Sequence, residues 1–233
     1  MKKIIYLIII ICCILLINPE SSQAAEQGVT LTWTTDTYVP LSYQGKALPS
    51  RGSSIEVVTQ LSSQFNPQEL IFNWFIDNHI QKTESGLNKQ TFKFNISESV
   101  SKNNIIKVEI SNSGNTINLS SSLSLKAYEP EIVLTAEKPP FGFSNQYQFS
   151  DDQEIEFTAQ PYFFNIIDID GLDYQWSFGR QIAQQANNET LNNFILKIGN
   201  IAKSINQKLQ VWAENINNPI QRAQATASII FIP

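Results

Sequence analysis

The sequence is poor in the residues that most catalytic and metal chemistry needs. It holds two cysteines and one histidine in 233 residues. Both cysteines, Cys12 and Cys13, lie in an apolar run near the N-terminus. A chain that loses this run on export has no disulfide, no thiolate nucleophile and no cysteine-based zinc site. His79 would be the sole imidazole for a zinc site or for a Ser-His-Asp triad. It follows Asp77-Asn78 at the end of an alternating stretch and reads as a surface residue. Basic residues are scarce too: 16 Lys and Arg stand against 21 Asp and Glu, a net charge of −5. Such a surface argues against nucleic acid or anionic membrane as a partner, since both need basic clusters. After the N-terminal run no apolar stretch approaches the roughly 18 residues of a membrane span, so no membrane contact is expected beyond that segment. No cofactor is expected.

What the N-terminus does have is the order of features that export machinery reads. Lys2 and Lys3 precede the fourteen apolar residues Ile4–Ile17, Pro19 breaks any helix, and Ser22-Gln23-Ala24 places small residues before a cut. Residues 1–24 are therefore expected to be a signal peptide, cleaved after Ala24 or Ala25. The alternative is an uncleaved N-terminal membrane anchor. Fourteen helical residues reach about 21 Å against a hydrocarbon core of about 30 Å, which favours the signal. Cleavage removes Lys2, Lys3 and Glu20 and takes the net charge to −6.

The rest of the chain is organised around two stretches, Leu172–Gly179 and Leu70–Asp77. Large apolar residues fall at every second position: Leu172, Tyr174, Trp176 and Phe178 in one, Leu70, Phe72, Trp74 and Ile76 in the other. Side chains alternate across a strand, so each set lines one face, and a tryptophan among aromatics on an inward face marks the centre of a β-sandwich. Trp74, Trp176, Tyr174, Phe178 and Phe72 are the expected core. The tryptophans stand 102 residues apart. Phe92–Ile96 matches Phe194–Ile198 at the same offset, and Ile106, Val108 and Ile110 match Leu209, Val211 and Ala213 at 103. A period near 100 is the size of one sandwich domain and too long for a solenoid repeat.

Two domains follow, 25–128 and 129–233, joined at Tyr128-Glu129-Pro130, where the proline stiffens the link into a semi-rigid rod. Short alternating runs recur in both, with a hairpin turn at Asn112-Ser113-Gly114-Asn115 and another turn at Asn215–Pro219. Long turn-rich loops follow the first strand of each domain, and a short helical turn is conceivable within Arg180–Thr190. The expected fold class is all-β: two tandem sandwiches after an N-terminal signal peptide.

Tyr174-Gln175-Trp176-Ser177-Phe178-Gly179 resembles the signature strand of the PKD (polycystic kidney disease) repeat, an immunoglobulin-like sandwich. That strand usually reads Tyr-x-Trp-Asp-Phe-Gly-Asp-Gly; here Ser177 and Arg180 replace the two acids. The specific motif covers fewer than ten residues. The resemblance implies PKD-like or immunoglobulin-like sandwiches of bacterial extracytoplasmic proteins, which serve as spacers, adhesion units or accessory binding domains.

Four groups of residues bear on chemistry. Asp168, Asp170 and Asp173 surround Gly171 and form a calcium candidate, set against an Asp-Gly turn leading into the Trp176 strand. Glu56 and Glu156 recur at equivalent positions, and paired carboxylates could serve a glycosidase, but their alternation with Ile55 and Ile155 points them outward. Asn95-Ile96-Ser97, Asn118-Leu119-Ser120 and Asn188-Glu189-Thr190 match a glycosylation pattern that an Asn-rich chain produces by chance. Tyr38 and Tyr43 in the first long loop, and Phe141, Phe143, Tyr147 and Phe149 in the second, are candidate ligand-contact aromatics, set against their folding back to plug the sandwich ends. Tyr162-Phe163-Phe164 reads as core or inter-domain packing.

The expected function is a non-catalytic, exported structural or adhesion/interaction module, such as a subunit of a cell-envelope assembly, with a protein or glycan partner at the cell envelope, periplasmic, surface-attached or secreted. The alternative is a carbohydrate-binding module that uses the loop aromatics.

Overall fold

The computed structural model describes residues 28–97, 99–136, 142–150, 154–183, 191–197 and 199–233. The expected signal segment, Phe141 and residues 184–190 lie outside the described residues. Among the described residues the regular elements are strands and two 3-10 turns, and no helix is long and apolar enough to cross a membrane.

The first sandwich contains β1 (Val29–Thr35), β2 (Ser54–Leu61), β3 (Leu70–Ile76), β4 (His79–Ile80), β5 (Gly86–Leu87), β6 (Thr91–Asn95), β7 (Asn103–Asn112) and β8 (Asn118–Lys126). One sheet runs β1-β2-β6; the other runs β4-β3-β7-β8, with β5 also paired to β3. The second sandwich contains β9 (Glu131–Ala136), β10 (Gly142–Phe143), β11 (Gln146–Ser150), β12 (Glu154–Tyr162), β13 (Leu172–Phe178), β14 (Gln181–Ala183), β15 (Asn193–Lys197), β16 (Ile205–Asn215) and β17 (Arg222–Ile232). Its sheets run β10-β9-β12-β15 and β11-β17-β16-β13-β14. In both, the tryptophan strand lies in one sheet with the last two strands, while the first two long strands form the other. This is the immunoglobulin-like division of strands.

Alternation builds both cores. Leu70, Phe72 and Trp74 are buried on β3, and Leu172, Tyr174 and Trp176 on β13, while Asp173 and Gln175 between them face solvent. The repeat extends to atomic detail. Trp74 Nε1 donates to the carbonyl of Lys89 at 2.8 Å, and Trp176 Nε1 to that of Leu191 at 3.1 Å. Trp74 stacks on Phe92 at 5.4 Å, and Trp176 on Phe194 at 5.2 Å. Each ring is thus buried without orphaning its N–H. Phe178 is only half-buried but packs against the second core.

Gln181–Ala183 is a strand paired with β13, and residues 184–190 of the stretch in which a helical turn is conceivable lie outside the described residues. The expectation of an irregular second long loop is corrected. The second long loop contains β10 and β11, and β11 pairs in parallel with the last strand, β17. That pairing buries Tyr147 and Phe149 on the core side and leaves Gln146, Gln148 and Ser150 outward. A short strand laid parallel to a distant one gives no local turn signal to announce it.

Candidate functional site

The structure disperses the sequence-derived candidates. Tyr147 and Phe149 are core residues: Phe149 and Tyr147 pack edge-on against Phe157 at 6.1 and 5.5 Å. The Tyr147 hydroxyl donates to the Leu134 carbonyl at 3.0 Å and accepts from Ser144 N at 3.1 Å. They cannot serve as a ligand platform. Burial pushes the Tyr147 phenol upward. Phe143 lies on β10 at the sheet edge.

The three aspartates do not converge, and among the described residues no group of three potential ligands does. Asp168 caps the 3-10 turn Ile169–Gly171, its carboxylate accepting from Asp170 N at 3.1 Å. Its structural twin is Asn66, whose side chain accepts from Gln68 N at 3.2 Å and caps the turn Pro67–Glu69. An amide performs the same task in the first copy, so capping accounts for Asp168 without a metal. Asp173 projects outward on β13, opposite Glu214.

Glu56 and Glu156 lie on the outer faces of separate sandwiches. Glu56 pairs with Lys93 at 3.0 Å, and Glu156 accepts from Asn193 Nδ2 at 2.8 Å. His79 is exposed on β4. Nearby, Asp77 accepts from Ile105 N at 2.9 Å and pairs with Lys102 at 3.0 Å, which holds its carboxyl below the usual range.

The structure gathers a different set of residues, where the two sandwiches meet. Gln221, in the turn before β17, is fully buried. Its Nε2 donates across the junction to Ser50 Oγ at 2.8 Å and to the Arg51 carbonyl at 2.9 Å. Its Oε1 accepts within its own sandwich from Asn165 N at 2.7 Å and Asn215 Nδ2 at 3.0 Å. One carboxamide thus uses both donors and both acceptor sites, which only Asn or Gln can do. Ser50, Ser53 and Asn215 are buried around it.

A second contact reinforces the joint. Tyr38 and the Phe163–Phe164 segment exchange backbone hydrogen bonds, Tyr38 N to Phe164 O and Phe163 N to Tyr38 O, both at 2.7 Å. Tyr43 packs edge-on against Tyr162 at 5.7 Å and Phe163 at 5.8 Å. Phe163 adopts φ 64°, a left-handed conformation that a bulky residue holds only under tertiary constraint. Arg51 pairs with Glu129, and Tyr128 N donates to the Pro49 carbonyl at 2.8 Å, tying the linker to the first loop. Tyr38 and Tyr43, read from sequence as ligand aromatics, are therefore joint residues. The Tyr174 hydroxyl lies buried nearby without a hydrogen-bond partner among the described residues, and burial, with Tyr38 and Asp170 adding to it, holds that phenol well above its usual range.

Sequence reasoning missed Gln221 altogether. Its neighbours Asn217, Asn218 and Gln224 are equally polar, and no local pattern separates a buried amide from solvated ones. It also missed Trp212, the one tryptophan that is largely exposed, at 46 %. The signal was available there: Trp212 falls on the outward phase of Leu209, Val211 and Ala213.

No family model matches the chain, and no curated protein matches it. Solved structures that align with the chain include the fibronectin(III)-like modules of Clostridium thermocellum CbhA, at 13% identity and TM-score 0.29, covering 86% of this chain and 93% of that one. Domains FN1-FN3 of chicken CNTN1 align at 10% identity and TM-score 0.32, over 80% of this chain and 64% of that one. SGBP-B of a Bacteroides ovatus mixed-linkage glucan utilization locus, in complex with a mixed-linkage heptasaccharide, aligns at 10% identity and TM-score 0.25, over 84% of this chain and 47% of that one. Nothing about this chain rests on alignments at this level, and the strand order above carries the fold assignment by itself.

Proposed function

We propose that the protein is an exported, non-catalytic interaction module of the cell envelope. An export segment, residues 1–24, precedes two sandwich domains, 25–128 and 129–233, that present their outer faces to protein or glycan partners in a fixed mutual geometry. The observation that carries this reading is the Gln221 joint. Two domains that only need to be linked have no use for a buried four-bond amide, a reciprocal backbone pair and an aromatic contact at their boundary; relative motion is the default for domains in one chain. A molecule that holds two surfaces in register does have such a use. Glu56 and Glu156 support binding over hydrolysis, since each is engaged on the outer face of a different sandwich.

Two measurements test the proposal. Intact mass of the protein made in a bacterial host with its N-terminus complete should show a start at Ala25 or Glu26; a start at Met1 with the protein in the membrane fraction makes the segment an anchor. Purified residues 25–233 should sediment with cell-envelope preparations of the producing organism. Recovery only in the supernatant would contradict an envelope role.

A further inference from the structure

The outer face of the β11-β17-β16-β13-β14 sheet carries an arrangement that the fold does not require. Registers place its outward side chains in rows across the strands. One row is Gln175, Trp212 and Gln224; the next is Ile182, Ser177, Gln210 and Thr226. None of these carries a charge. Charged groups bracket them, with Asp173, Glu214 and Arg222 in the row beyond Trp212, and Lys208 on the far side. The equivalent position in the first sandwich is Glu109, beside Asn73 and paired with Lys107 at 2.6 Å. Sheet packing therefore does not call for an indole at this site.

The face is also shaped. Gln210 Nε2 donates to Gln224 Oε1 at 3.0 Å, which ties the side chain in register with Trp212 to the one two residues along its own strand. About 13 Å further along β16, at a strand rise of about 3.3 Å per residue, the strip opens into a depression of about 630 Å³. Asn145, Asn206, Lys208, Ser228 and Arg180 line it, and Ser228 Oγ donates to Asn206 Oδ1 at 2.8 Å. Gly179 forms part of its wall in a left-handed conformation, φ 62°, and a Cβ there would meet Gln207 Oε1 at 2.8 Å.

We propose that this face binds a linear, uncharged polysaccharide, with one sugar ring stacked on Trp212 and the chain running over Gln210 and Thr226 into the depression. A pyranose presents an apolar C–H face to an aromatic ring and hydroxyls at its rim. Carboxamides both donate and accept, so Gln175, Gln210 and Gln224 suit hydroxyls of either orientation. The uncharged strip suits a ligand without charge, and Lys208 and Arg180 add donors at the depression. The inference rests on the interaction-module reading and names its ligand class, moving the glycan contact from the loops to the sheet.

The test is native affinity electrophoresis of residues 25–233 through gels containing barley β-glucan, xyloglucan or galactomannan, with pull-down on cellulose and chitin. The expected result is retention on at least one neutral polymer, with a shift of tryptophan emission on binding. Trp212→Ala should weaken retention at least about tenfold, given the area and stacking an aromatic contributes; Trp212→Phe should keep part of it, and Gln175→Ala should weaken it with an unchanged circular dichroism spectrum. No retention of the unmodified protein on any neutral polymer overturns the ligand class while leaving an envelope role intact. Retention equal in Trp212→Ala overturns the site. Binding confined to polygalacturonate and abolished by Lys208→Ala but not by Trp212→Ala also overturns the proposal.

Discussion

Replacing Gln221 with alanine should loosen the joint between the sandwiches at a predictable energetic cost. The substitution removes four hydrogen bonds. Two of the affected groups have a second partner: Asn215 Nδ2 also donates to the Asn165 carbonyl at 2.9 Å, and the Arg51 carbonyl also accepts from Asn218 Nδ2 at 3.5 Å. Ser50 Oγ and Asn165 N are left without one. Orphaning a buried polar group costs about 1–3 kcal/mol, so the loss should be about 2–6 kcal/mol. Gln221→Glu should be worse than alanine, because a carboxylate cannot donate to Ser50 or Arg51 and its charge would be buried against a carbonyl. Urea unfolding followed by tryptophan fluorescence reads the effect, since Trp74 and Trp176 report one from each core. The midpoint should fall, and a single transition should broaden toward two as the sandwiches uncouple. A double-mutant cycle with Ser50→Ala should give a coupling energy above about 0.5 kcal/mol. A loss under about 0.5 kcal/mol with additive singles would refute the reasoning, for surface substitutions behave that way.

Three further outcomes follow from the same geometry. Trp74→Ala and Trp176→Ala should each cost about 3–5 kcal/mol in urea unfolding, because each leaves a cavity in a fully buried stack. Tyr147 and Tyr174 have phenols raised above the ordinary 10.0. The unfolded chain therefore releases these protons first, the native state binds more of them, and stability should fall as pH rises above 10.0. Tyr174→Phe should flatten that decline without loss at neutral pH, its hydroxyl having no partner to lose, whereas Tyr147→Phe should cost about 1 kcal/mol for the bond to Leu134. Asp168→Asn should preserve stability and Asp168→Ala should cost about 1 kcal/mol as a lost cap; a thermal shift on adding calcium, abolished by either variant, would restore the metal reading.

The fold was legible because its signals are local. Alternation around Trp74 and Trp176 locates the central strands, and the offset of 102 residues carries through to the Phe92 and Phe194 stacks and to the turns capped by Asn66 and Asp168. Even β11 was written in the alternation of Gln146, Tyr147, Gln148, Phe149 and Ser150, but its loop setting hid it, and its partner lies some 80 residues away on β17. The joint was not legible. Whether Tyr43 faces solvent or Phe163, and whether Gln221 is solvated or enclosed, depends on how one sandwich sits on the other, and no periodicity encodes that. Trp212 is the intermediate case: the pattern places it outward, but only the registers of β13, β16 and β17 reveal the uncharged rows around it.

Residual dipolar couplings of uniformly labelled residues 25–233 test the fixed geometry most directly. If the Gln221 joint and the Tyr38 backbone pair lock the sandwiches, couplings from β1–β8 and from β9–β17 will fit one alignment tensor with the same magnitude and orientation. Two tensors of different magnitude would show the sandwiches reorienting independently and would contradict the account.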